Sequence, residues 1–170
     1  LKLMEEPPQG ALFWLLAEDQ SAVMSTLLSR SGRLRVPPIP DEELRALLPA
    51  QQRADGELLG FLAGRAGLIA QLSEVQGVLE QARAFTEAAQ TDLWSALEAA
   101  AQLEKAYHPD FTAQALRFVW RDFSPLARVS ADRALEALQE ALEAYAQPAL
   151  SFQVFALDLR AALRAGGPLL

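Results

Sequence analysis

Of the side chains that most often do nucleophilic, acid–base or metal chemistry near neutral pH, this 170-residue chain has one histidine and no cysteine. Cysteine is absent, so thiolate nucleophiles, disulfides and thiolate metal sites are excluded. The single histidine, His108, precedes Pro109 and reads as a loop residue, and one imidazole cannot build the usual histidine metal centre or triad. Glu5-Glu6 and Glu42-Glu43 are paired carboxylates, yet they fall at expected helix ends, where solvation and the helix dipole explain them better than glycosidase-type catalysis. The sequence holds no Glu-x-x-His pair for a di-metal bundle and no glycine-rich loop followed by Lys-Ser/Thr to cradle phosphate. Trp14, Trp94 and Trp120 read as core or interface residues. What stands out is Ser29-Arg30-Ser31, a guanidinium at the end of an expected helix. On its own it is a cation satisfying the carbonyl end of that helix. Delivered to another molecule, it can stabilise the charge that builds on a phosphoryl group in transfer, through two parallel N–H donors.

The elements that would hold Arg30 come first in the chain. Ala11 to Ala17 (ALFWLLA) is a continuous apolar run between Gln9-Gly10 and Glu18-Asp19, which predicts a strand buried on both faces, as in a parallel sheet. Ser21 to Ser29 places Val23, Leu27 and Leu28 at helical spacing, with Asp19 or Ser21 as N-cap; Ser31-Gly32 closes that helix before the alternating Leu34-Arg35-Val36. Leu1 to Glu6 reads as the end of a helix stopped by Pro7-Pro8. Helix, strand, helix, strand is an α/β pattern, but a slice this small leaves raw sheet edges. Its neighbours are expected upstream, and the chain reads as a piece of a longer protein.

Pro37-Pro38-Ile39-Pro40 is a stiff connector and the clearest boundary. Beyond it the pattern is helical throughout. Asp41 is expected to cap Glu42 to about Leu48, and Asp55 to Leu62 and Gly64 to Leu72 complete a three-helix unit. Gly56, Gly60, Gly64 and Gly67 mark turns or close backbone approach within it. From Ser73 onward, breaks at Gln90-Thr91, His108-Pro109, Ser124-Pro125 and Gln147-Pro148 give about five helices. Ser130 to Ala146 sets Ala131, Leu135, Leu138, Leu142 and Tyr145 on one stripe. Ala149 to Leu163 is apolar almost all round, so Phe152, Phe155, Leu159 and Leu163 either fill the bundle or face a partner.

A net charge of −7 offers no general footprint for unaided binding to a phosphate backbone. No secretory leader and no uncharged apolar run long enough for a membrane span is visible, so a cytoplasmic location is expected.

Taken together, Leu1-Lys2-Leu3-Met4-Glu5-Glu6-Pro7-Pro8, the run Leu12 to Ala17 and Thr26-Leu27-Leu28-Ser29-Arg30-Ser31 resemble the second half of the nucleotide-binding domain of bacterial DNA polymerase III clamp-loader subunits, members of the AAA+ class. The match in order and spacing covers about the first 36 residues, with Ser31 where the family has Cys. The resemblance implies a mainly α chain: the remnant of an α/β AAA+ domain (1–36), a small three-helix lid (37–72), a helical collar that mediates oligomerisation (73–166) and a tail (167–170). ATP-hydrolysing members carry a polar sensor where this chain has Ala17 and a lid arginine where it has Gly67, with Arg65 nearby but displaced. These departures resemble the family's stator subunit, which lends an arginine finger, here Arg30 flanked by Ser29, to a neighbour. The implied cofactor is ATP held by that neighbour, with none on this chain, no metal, and no catalysis by this chain itself. The implied partners are the gamma/tau and delta subunits and, through the assembled complex, primer-template DNA and the sliding clamp, with no membrane. Phe152, Phe155, Leu159 and Leu163 are then candidates for the collar interface. A gamma/tau-type ATPase subunit, and a helical interaction module unconnected with replication, are the alternatives.

Overall fold

The computed structural model describes residues 6–17, 20, 23–109 and 111–165, and the chain divides into two compact units, Leu1–Pro38 and Ile39–Leu170. The expected helix before Pro7 and the expected caps Asp19 and Ser21 lie outside the described residues, as does the tail from 167.

In the first unit, helix α1 spans only Ser25–Leu28, with Met24 at its N-cap and no side-chain cap. The strand expected from Ala11 to Ala17 does not form; the segment has no regular secondary structure, Leu12 and Trp14 are exposed and Leu16 is 94% exposed. Leu34 to Val36 is likewise exposed and irregular. A β-ladder needs a second strand to take up N–H and C=O groups, and none exists among the described residues. Apolar content alone cannot supply that partner.

The second unit is helical: α2 (Asp41–Leu47), α3 (Gly56–Leu62), a 3₁₀ segment (Ala66–Gln71), α4 (Leu72–Thr91), α5 (Leu93–Lys105), α6 (Thr112–Val119), a 3₁₀ turn (Trp120–Asp122), α7 (Pro125–Glu143) and α8 (Pro148–Ala165). The helix starts have local chemical causes. Asp55 accepts from the backbone N–H groups of Glu57 and Leu58 at 3.0 and 2.9 Å, and Asp92 accepts from that of Ser95 at 2.9 Å. Ser124 accepts from the N–H of Ala127 at 3.3 Å, with Pro125 at the first helical position. Asp41 does not cap α2: Pro40 is the N-cap, and Asp41 joins Glu42 and Glu43 in an acidic first turn, where the helix dipole favours negative charge. The helix expected from Gly64 to Leu72 is a 3₁₀ segment, entered through left-handed Ala63 (φ 46°) and Gly64 (φ 76°). Gly60 is a true close approach, since a Cβ there would sit 3.3 Å from the Phe118 ring.

One apolar core runs through this unit, from Leu44 and Leu48 to Leu159. Helix α8 packs against α7, α5 and α4, so much of its apolar surface serves the bundle's interior. Phe152, Phe155 and Leu159 are at most 1% exposed, and Leu163 packs at the core's edge. Of the two roles left open for these four residues, three of them therefore take the core, and the reason is geometric: α8 is flanked by its own neighbours. Arg160 is buried and donates to the carbonyls of Ala89 (2.8 Å) and Thr91 (3.4 Å), the end of α4. Tyr145 leaves its expected stripe because α7 ends before it; the residue adopts φ 57° and is 96% exposed.

Candidate functional site

Arg30 follows the single turn of α1, and three successive side chains fold back onto that turn. The Ser29 hydroxyl donates to the Thr26 carbonyl at 3.1 Å, Arg30 Nη1 donates to the same carbonyl at 3.0 Å, and the Ser31 hydroxyl donates to the Leu27 carbonyl at 2.8 Å. Together they satisfy carbonyls at the end of a helix too short to satisfy them by itself. Arg30 is exposed, as is Ser29, while Leu27, Leu28 and Ser31 are half-buried. The guanidinium thus contributes to capping its own turn while lying at the surface.

The other residues read from the sequence fall elsewhere. Ala17 is exposed in the irregular segment before α1. Gly67 lies in the 3₁₀ segment with open space around it. Arg65 is committed locally: Nε donates to the Leu62 carbonyl at 3.0 Å, Nη2 to the Phe61 carbonyl at 2.6 Å, and Nη1 to the Gln114 side chain. It ends α3 and ties it to α6. His108 is a half-buried loop residue whose ring stacks on Phe111 with centroids 4.4 Å apart, while its backbone N–H donates to the Thr112 hydroxyl. Trp120 is in the core at 1% exposure, donating from Nε1 to the Thr86 hydroxyl at 3.1 Å; Trp14 and Trp94 are exposed.

Among the described residues, electrostatic perturbations are few and structural. The Arg83 guanidinium is held above its ordinary pKa by its hydrogen bond to Glu57, which joins α4 to α3. The Asp92 carboxyl is held below the usual carboxylate range, chiefly by the Ser95 hydroxyl and then by backbone N–H donors. Burial raises the Tyr107 hydroxyl. Among the described residues no three or more His, Asp or Glu side chains gather as metal ligands, and no helix is long and apolar enough to cross a membrane.

The structure also separates out a stripe that sequence reasoning missed. Leu150, Val154 and Leu157 recur at i, i+4 and i+7 on α8 and are 56%, 47% and 45% exposed. That spacing is visible in the sequence, but the phenylalanines elsewhere around the same helix mask its phase. No family model, no curated protein and no solved structure matches this chain.

Proposed function

We propose that the chain is a clamp-loader subunit of the delta-prime kind, a stator that places Arg30 against the triphosphate of a neighbouring ATPase subunit. The observation that carries this reading is the exposed position of Arg30 at the end of α1, after the apolar run Ala11 to Ala17 in the order the clamp-loader pattern requires. The departures at Ala17 and Gly67, and the local commitment of Arg65, support a subunit that lends a cation over one that hydrolyses ATP. In this role Arg30 makes bidentate contacts to γ-phosphate oxygens, where charge accumulates in the transition state. The apolar run then takes its place as a strand once a sheet is supplied beside it. Co-purification with tagged gamma/tau and delta subunits tests the assignment: a stoichiometric complex supports it, and failure of the protein to join them overturns it.

A second reading is favoured by the bond from Arg30 to Thr26. If capping its own turn is the arginine's whole role, the chain is a helical interaction module and Arg30→Ala changes only local helix stability.

A further inference from the structure

Among the described residues, helices α7 and α8 share an outer face that nothing covers. Leu150 and Val154 of α8 and Ala134, Ala137 and Ala141 of α7 line an open groove of about 180 Å³ with mostly apolar walls. Along the outer edge of α7, Leu126, Arg133, Ala137 and Glu140 are all exposed and fall within one stripe of the helix. The two charges of that stripe are opposite in sign and lie on either side of Ala137.

We propose that this face docks a second copy of the same chain, with the two α7 helices antiparallel about a twofold axis near Ala137. Arg133 lies four residues before that alanine and Glu140 three after it. A twofold through Ala137 brings each Arg133 to within about one residue's rise, ~1.5 Å along the axis, of Glu140 in the other copy. Two Arg–Glu pairs form from one kind of residue pair, the self-complementarity that an isologous interface requires. A parallel pairing in register sets Arg133 against Arg133 and loses both. Ala137 at the crossing point has only a methyl to hold the helices apart, and each α7 can settle beside the groove of the other copy, covering Leu150 and Val154. The charge pattern therefore sets orientation and register, while removal of the exposed leucine and valine from water provides the drive.

The test is sedimentation equilibrium of the full chain from about 1 to about 100 μM, with circular dichroism to establish folding. The proposal expects a monomer–dimer equilibrium in that range. Arg133→Glu should raise the dimer dissociation constant at least about tenfold, and Arg133→Glu combined with Glu140→Arg should restore it. Val154→Asp, at a half-exposed position that leaves the core intact, should also give monomer. Three results overturn the proposal: a monomer throughout, a dimer indifferent to both charge reversals, or a double reversal no better than the single one. A chain that is monomeric alone and associates only with a different protein overturns it equally.

Discussion

Phe155 decides between two roles for the last helix, because a core residue and an interface residue respond to truncation in opposite ways. Its ring is 1% exposed, stacked on Phe85 with centroids 5.2 Å apart and planes 23° from parallel, and lies 6.5 Å from the Trp120 ring. Replacement by alanine removes a fully buried phenyl and leaves a cavity between α4, α8 and the 3₁₀ turn. The expected cost is about 3–5 kcal/mol. The lost aromatic pairing accounts for roughly 0.5–1.5 kcal/mol of it. In a chain of this length each kcal/mol moves the melting midpoint by about 2–4 °C, so Phe155→Ala should melt roughly 6–20 °C below the wild type. Leu157→Ala, two residues away and half-exposed on the outer face, should stay within about 0.5 kcal/mol. Thermal and urea unfolding, followed by circular dichroism at a single low protein concentration, measure both. A Phe155→Ala protein that melts with the wild type but loses self-association or subunit binding would refute the burial argument.

Other consequences are more local. Thr86→Val should cost about 1–3 kcal/mol because it leaves the buried Trp120 N–H without its acceptor. Its cost should fall in a Trp120→Phe background, and equal costs in the two backgrounds would remove the hydrogen bond from the account. Asp55→Ala should destabilise by about 1 kcal/mol through loss of the two N–H contacts that open α3, measured by urea unfolding, with an unchanged midpoint contradicting the cap. The pH dependence at Asp92 follows from its lowered pKa: the unfolded chain binds the proton more readily, so the carboxylate's stabilisation is complete above the ordinary value near 4 and is lost as pH falls through the lower folded value. Asp92→Asn should therefore flatten the acid limb of the stability curve, and identical slopes for mutant and wild type would contradict that assignment.

The helical unit is legible in outline because its boundaries are set by neighbours in sequence. Pro125 and Pro148 start helices at their first positions, and Asp55 and Ser124 cap through atoms two or three residues away. The segment Ala11 to Ala17 is not legible in this way, since whether an apolar run becomes a strand depends on a partner strand far along the chain or outside it. The phase of α8 is hidden for a different reason. A helix apolar on nearly every side gives little indication of which side faces inward, and only its packing against α4, α5 and α7 assigns Phe152, Phe155 and Leu159 to the core and Leu150, Val154 and Leu157 to the surface. At Arg30 the sequence locates a helix end correctly, while the bonds of Ser29, Arg30 and Ser31 back to Thr26 and Leu27 reflect a helix shorter than its spacing suggests.

The most direct test of the proposed role is the ATPase rate of an assembly reconstituted with gamma/tau and delta subunits, with this protein supplied either as the wild type or as the Arg30→Ala variant. Because Arg30 is exposed and outside the helical core, the variant should fold and assemble as the wild type does. Hydrolysis at the adjoining site should fall by about 10³-fold or more, with nucleotide binding little changed. An assembled complex that hydrolyses ATP at the wild-type rate would contradict the account at its centre.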